Sequence, residues 1–286
     1  MKIILLFIAL LASSTLTATT DTSCPVTFFT SNSLVPADGA SGYINVARAG
    51  RKIFYMLFNS RSPTHDRDPL VIWLSGGPGA SSMVGALMEN GPFDIDQNGN
   101  AEIREHAWNN NAHTLYIDQP VGTGYSSYKG ASDFVKSPKE IEDHFYEFVT
   151  KFLQKPEFQH FQKRPLYITG ESFAGHYIPL YAARLVKENN PIINLKGIAI
   201  GNPWIDPSTH YRTQIDFMEE NNLPFPPNMD DLKMALSGCD GVLKLKEMKE
   251  GRVTFHDDEP NPCKNFEENI NYDKIKNDEE IERLRL

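Results

Sequence analysis

Cysteine is scarce in this chain, with three among 286 residues: Cys24, Cys239 and Cys263. Their spacing is not that of a zinc site, and an odd count excludes complete internal pairing. In an oxidising compartment Cys239 and Cys263 could close a local loop, which leaves Cys24 without a visible partner. Basic residues are also short, 28 Lys and Arg against 37 Asp and Glu for a net charge of −9, and they are scattered. That balance argues against a nucleic-acid or anionic-membrane partner. No apolar run reaches the roughly 20 residues that span a bilayer, so no membrane anchor is expected. The run Ile3–Ala12 behind Met1-Lys2, with the Ser/Thr/Ala tract that ends near Thr20, instead matches a secretory signal peptide. There is no Ala-x-Ala site to fix cleavage, which is expected near Ala18–Thr20, and no Asn-x-Ser/Thr sequon. A secreted or lysosomal/vacuolar location therefore rests on the leader alone. A Walker lysine and a Gly-x-Gly-x-x-Gly spacing are both missing, and no cofactor or metal is expected.

What the chain does have is a strand, a corner and a helix start within Arg164–Pro179. Leu166, Tyr167 and Ile168 are β-formers between Pro165 and Gly170, and Ile178, Ala182, Leu185 and Val186 recur at helical spacing from His176 to Asn189. Ser172 falls in the corner. Small neighbours let strand and helix approach, and a serine held there projects its hydroxyl above the sheet edge as a nucleophile elbow, with Ala174 as the last small residue. The helix that follows aims free N–H groups at the place where an acyl oxyanion would form. Alone the pattern is weak, because glycine and serine also cluster in ordinary turns.

Upstream, Gly42–Arg48 and Lys52–Phe58 predict a hairpin turning through Ala49-Gly50, and Pro63–Asp68 a polar loop. Pro69–Leu74 is a continuous apolar run, as in a strand buried on both faces of a mostly parallel sheet. It opens into Ser75-Gly-Gly-Pro-Gly-Ala-Ser-Ser-Met83, read as an oxyanion loop facing the serine. Ser137-Pro138 caps a predicted helix Lys139–Gln154 with Ile141, Phe145, Phe148, Val149 and Phe152 on one face. His144 and His160 are expected in solvent or loops, and His113 and His176 in structural roles. The elbow turns Ser172 away from the helix that carries His176, so that imidazole is not read as its base.

Four stretches then carry a resemblance: Trp73–Ser82, Trp108–Ser126, Gly170–Pro179 and Gly197–Pro207. In this order they resemble the serine carboxypeptidases, from about Gly42 to Pro207 and more weakly beyond. The resemblance implies an α/β-hydrolase sheet with strands Pro69–Leu74, Leu115–Asp118, Leu166–Thr169 and Lys196–Gly201, flanked by helices. It implies Ser172 as nucleophile and the backbone amides of Gly77 and Phe173 as oxyanion hole. It also implies Glu171 and Glu89, with Trp73, Ser75 and Gly76, as the recess for a substrate's terminal carboxylate. Phe173 stands where the family usually has tyrosine, which spares the backbone donor. Ser75 replaces an asparagine, leaving a shorter donor with a single O–H, and Ala80 replaces a cysteine that the family pairs.

The triad order Ser, then Asp or Glu, then His finds no convincing partner after Asn202, where only His210 and His256 supply imidazoles. The chain accordingly reads as a signal peptide (residues 1–20), the N-terminal part of an α/β-hydrolase domain (21–207) and the start of a helical cap insertion (208–286). Tyr211–Asn222 and Asp230–Ser237 are predicted helical, and the sheet is expected to be truncated before its last strands, with apolar surface bare around Lys196–Gly201. The implied activity is removal of C-terminal residues from peptides through an acyl-enzyme, favoured at acidic pH, with peptide or protein C-termini as partners. An acyltransferase on the same scaffold, or a non-catalytic binder of peptide C-termini, are the alternatives.

Overall fold

The computed structural model describes residues 23–29, 34–47, 50–98 and 100–221. The expected leader, the helix predicted at Asp230–Ser237 and the suggested Cys239/Cys263 pairing lie outside them. The described residues fall into two units, one ending at Trp204 and one starting at Ile205.

The first unit is built on a seven-stranded sheet. Its strands are β1 (Cys24–Phe29), β2 (Leu34–Asn45), β3 (Lys52–Phe58), β4 (Leu70–Leu74), β7 (His113–Asp118), β8 (Pro165–Glu171) and β9 (Asn194–Gly201), while β5 (Phe93–Ile95) and β6 (Ala101–Ile103) form a separate small hairpin. The order across the sheet is β1-β2-β3-β7-β4-β8-β9. The first three strands and the β3/β7 pair run antiparallel, and β7, β4, β8 and β9 run parallel. The predicted hairpin is β2 with β3, and each of the four strands that the resemblance implies is present, as β4, β7, β8 and the edge strand β9. Cys24, on β1, is a free and exposed thiol.

Alternation sorts the strand residues onto two faces. Tyr55, Leu57, Ile72, Leu74, Leu115 and Ile117 join the main core, whereas Met56, Phe58, Trp73 and Tyr116 join a smaller one with Met83, Ala86 and Phe93. The main core is closed by α1 (Pro138–Gln154) and α2 (Ala174–Glu188). The Ser137 hydroxyl accepts from the Glu140 N–H at 3.2 Å and starts α1, with Pro138 in its first turn. Phe145, Phe148, Val149 and Phe152 then face inward. The Phe152 ring lies 5.2 Å from Tyr55, edge-on, and 4.4 Å from Phe158. Burying each such side chain contributes about 1.5–3 kcal/mol. In α2, Asn189 takes the left-handed conformation (φ 47°) that ends the helix.

Two expectations change here. His144 is not in solvent: it is buried on α1 with Nε2 3.2 Å from Arg51 Nη1, and Arg51 also donates to Glu140 Oε1 at 2.6 Å. A buried arginine needs acceptors around it, and a carboxylate and a neutral imidazole one helical turn apart supply them. Burial first, then the Arg51 charge, lower the His144 pKa and keep it in that neutral form. The Pro63–Asp68 loop contains one turn of 3₁₀ helix, His65–Arg67. His113, by contrast, is structural as expected, accepting from the Ser60 N–H at 3.3 Å and donating through Nε2 to the His65 carbonyl at 2.8 Å.

In the second unit the described residues form α3 (Pro207–Glu220), which begins four residues before the predicted Tyr211. Its end is capped by the Asn221 amide, which donates to the Phe217 carbonyl at 2.8 Å.

Candidate active site

The four parallel strands deliver their C-terminal ends to one edge of the sheet. At that edge β8 leads directly into α2 through Ser172, which is exposed and has φ 55°. A left-handed φ at a non-glycine residue costs about 1–2 kcal/mol, so surrounding structure must hold it. The Ser172 N–H donates to the Gly201 carbonyl at 3.1 Å, and its own carbonyl accepts from Trp204 N–H at 2.8 Å and Gly175 N–H at 3.0 Å. The turn is therefore clamped by the segment that follows β9. At Gly170 a side chain would strike the Leu74 carbonyl and come within 2.9 Å of Ala174 Cβ. The absent side chain is what lets strand and helix meet.

The loop after β4 rises to the same point. A Cβ on Gly76 would strike the Phe173 amide nitrogen and lie 2.9 Å from both the Glu171 carbonyl and Ser172 Cβ, so its backbone rests directly on the corner. Gly77 is the next residue along this loop, with φ 108°. Trp73 and Ser75 are buried below, with the indole N–H donating to Ser75 Oγ at 3.3 Å. That oxygen uses a lone pair on Trp73 and keeps its own proton to donate.

Glu89 ends a short π-helical turn, Gly85–Glu89, and its carboxyl lies near enough to Glu171 to sense its charge. Desolvation first, then the charge of Glu171, raise the Glu89 pKa; Arg104 opposes the shift. Two neighbouring carboxyl groups retain one proton more readily than either would alone. All eight residues named from the sequence, Trp73, Ser75, Gly76, Gly77, Glu89, Glu171, Ser172 and Phe173, are therefore gathered at one sheet edge.

Of the histidines, His176 packs its ring 4.6 Å from that of Phe173, and His160 is exposed. Among the described residues no group of three or more His, Cys, Asp or Glu could hold a metal ion, and no helix is long and apolar enough to cross a membrane. The influence of Arg104 on Glu89 was not legible from the residues, because Arg104 is carried by the β5/β6 hairpin, which has no strong strand signal. The Gly201 and Trp204 backbone contacts to the corner were equally hidden, since backbone hydrogen bonds leave no residue-type signature.

A serine on a strand-to-helix corner, at the C-terminal edge of parallel strands and under a glycine-rich loop, defines an α/β-hydrolase. The particular family follows from comparison with known proteins. The family model described as serine carboxypeptidase matches residues 29–283, and the chain belongs to that family. It is 37% identical over 209 residues to serine carboxypeptidase-like 48 of Arabidopsis thaliana, covering 71% of this chain and 40% of that protein. It is 41% identical over 171 residues to the pheromone-processing carboxypeptidase kex1 of Schizosaccharomyces pombe, covering 60% of this chain and 32% of that one. The crystal structure of the prohormone-processing carboxypeptidase Kex1 from Saccharomyces cerevisiae superposes with a TM-score of 0.70 at 28% identity, covering 81% of this chain and 52% of that chain. The chain thus spans about half or less of the length of the relatives it matches.

Proposed function

We propose that this chain carries the nucleophile and the carboxylate-recognition half of a serine carboxypeptidase that releases C-terminal residues from peptides in an acidic secretory, lysosomal or vacuolar compartment. In this reading Ser172 Oγ attacks the scissile carbonyl, and the amides of Gly77 and Phe173 receive the oxyanion. Each such donor contributes roughly 3 kcal/mol in the transition state. The amine of the last residue leaves, and water hydrolyses the Ser172 ester. A general base must take the serine proton, and its absence costs on the order of 10⁶ in turnover. No described residue is assigned that role, so turnover depends on an Asp and a His still to be identified.

The observation that carries the reading is the approach of the loop that leads to Glu89 onto the Glu171–Ser172–Phe173 corner, which leaves Glu89 within electrostatic reach of Glu171. An esterase has no use for a shared proton there. A peptide's terminal carboxylate does: the protonated carboxyl donates to it, with Ser75 O–H and the Gly76 backbone alongside. Because the Glu89 pKa is raised, the shared proton persists above the ordinary carboxylate range and is lost as pH climbs through the raised value. Binding of free-acid peptides should therefore weaken from acidic to neutral pH.

Calorimetric titration of one peptide as free acid and as amide tests this without requiring turnover. The Kd of the acid should rise with pH while that of the amide stays level, and Glu171→Gln should flatten the acid's profile, since an amide keeps a donor without titrating. A flat profile for the acid, or an equal rise for the amide, would sink the assignment.

A further inference from the structure

The segment Ser75–Glu89 supplies both the Gly77 amide and the Glu89 carboxyl, so whatever fixes that segment fixes both halves of the site. Its anchor is a residue to which the family resemblance gave no role. Asp118, the last residue of β7, is completely buried. One carboxylate oxygen accepts from Ser81 Oγ at 2.6 Å and Ser82 N–H at 2.9 Å. The Met83 amide donates in turn to Ser81 Oγ at 3.2 Å. The other oxygen accepts from the Tyr125 N–H at 2.8 Å. Among the described residues no cation forms an ion pair with it, so its charge is balanced by donors alone. Burial raises its pKa and those donors pull it back down. The fit is tight: a side chain on Gly124 would strike this carboxylate and lie 2.7 Å from Ser81 Oγ.

We propose that Asp118 is a positioning residue: its buried carboxylate fixes the Ser75–Glu89 segment against the Ser172 corner, and through it sets how close Glu89 stands to Glu171. The inference rests on the acidic-pair reading above. Two donors on consecutive residues, Ser81 Oγ and the Ser82 N–H, converge on one carboxylate oxygen, and the Met83 N–H backs the first of them, which pins the segment midway between the Gly76 contact and Glu89. A carboxylate is acceptor-only and can receive all of them; an amide in its place turns N–H groups toward at least one donor.

The test follows the Glu89 side-chain carboxyl by NMR on the full chain with ¹³C-labelled glutamate, its signal assigned through Glu89→Gln, with Glu171 and Arg104 as the charges it senses. In the unsubstituted chain Glu89 should titrate above the ordinary carboxylate range. Asp118→Asn should move it down toward that range. Ser81→Ala, which removes one donor and leaves the Asp118 carboxylate in place, should move it in the same direction by less and serves if Asp118→Asn does not fold. Ser126→Ala is the control for general loosening: the Ser126 hydroxyl donates to the Asp118 carbonyl at 2.5 Å and accepts from the Phe54 N–H at 2.8 Å, but holds nothing on the 75–89 segment. It should leave Glu89 unmoved. A raised Glu89 that stays put in both Asp118→Asn and Ser81→Ala, or in Ser81→Ala alone where the other does not fold, overturns this proposal and spares the acidic-pair reading. A shift equal to theirs in Ser126→Ala overturns it as well. An ordinary titration in the unsubstituted chain overturns both.

Discussion

The serine corner and the glycine-rich loop meet at one point, yet they are held by opposite means. The corner, from Gly170 to Gly175, is fixed by close approach of small residues and by backbone hydrogen bonds to Gly201 and Trp204. The loop is fixed by buried side-chain oxygens: Ser82 Oγ accepts from the Ser75 N–H at 3.1 Å and donates to the Ile117 carbonyl at 2.6 Å, next to the Asp118 cluster. Contact that depends on the absence of atoms fails when bulk is added, and contact that depends on polar atoms fails when they are removed. The two regions should therefore respond to opposite kinds of substitution.

The largest effect is expected at Gly170. Gly170→Val places methyl groups against the Leu74 carbonyl, a backbone atom of the adjacent central strand that has no room to yield. Overpacking a tight site costs typically 1–3 kcal/mol and occasionally more; here the loss should reach about 3 kcal/mol or beyond, read from denaturant unfolding. A loss under about 1 kcal/mol would show that the corner can open, contrary to the geometry described.

Removal of atoms is the matching test in the loop. Ser82→Ala deletes the acceptor of one buried N–H and the donor to one buried carbonyl, and leaving such groups unsatisfied costs about 1–3 kcal/mol. Hydrogen exchange at the Ser75 amide should speed up with it, whereas exchange at the Ser172 amide, bonded to Gly201, should not. Equal acceleration at both amides would erase the distinction between the two regions.

This contrast also explains what was readable from sequence. The corner is local: glycine, serine and alanine within six residues, followed by helical spacing, put Ser172 between a strand and a helix, the apolar run Pro69–Leu74 marked one parallel strand, and the resemblance supplied the full set of four. The roles of Glu89 and Glu171 came from resemblance, not from any pattern of their own. The loop's support was illegible because it is non-local. Ser81 and Ser82 look like turn residues, and Asp118 lies 36 positions from Ser82 with nothing in its neighbourhood to distinguish it from a strand-end aspartate. His144 failed for a related reason. The α1 pattern placed it beside the apolar face, and only the tertiary position of Arg51 makes a buried imidazole tolerable there.

The smallest effect expected is a gain. Within the loop, positive φ falls on glycines, Gly77 at 108° and Gly79 at 80°, so the backbone there is relaxed. The corner instead puts a serine at φ 55°, accepting local strand-to-helix strain at the one position whose hydroxyl the chemistry needs. Ser172→Gly should remove that strain, offset in part by the greater freedom of glycine in the unfolded chain. The net stabilisation should be on the order of 0.5–1 kcal/mol, with loss of the nucleophile. Ser172→Ala keeps a Cβ at the same φ and should gain nothing, so the two variants together separate backbone strain from the hydroxyl's own contribution. Unfolding free energies that are equal for Ser172→Gly and Ser172→Ala would mean that the corner stores no strain, and that the difference between loop and corner lies in packing alone.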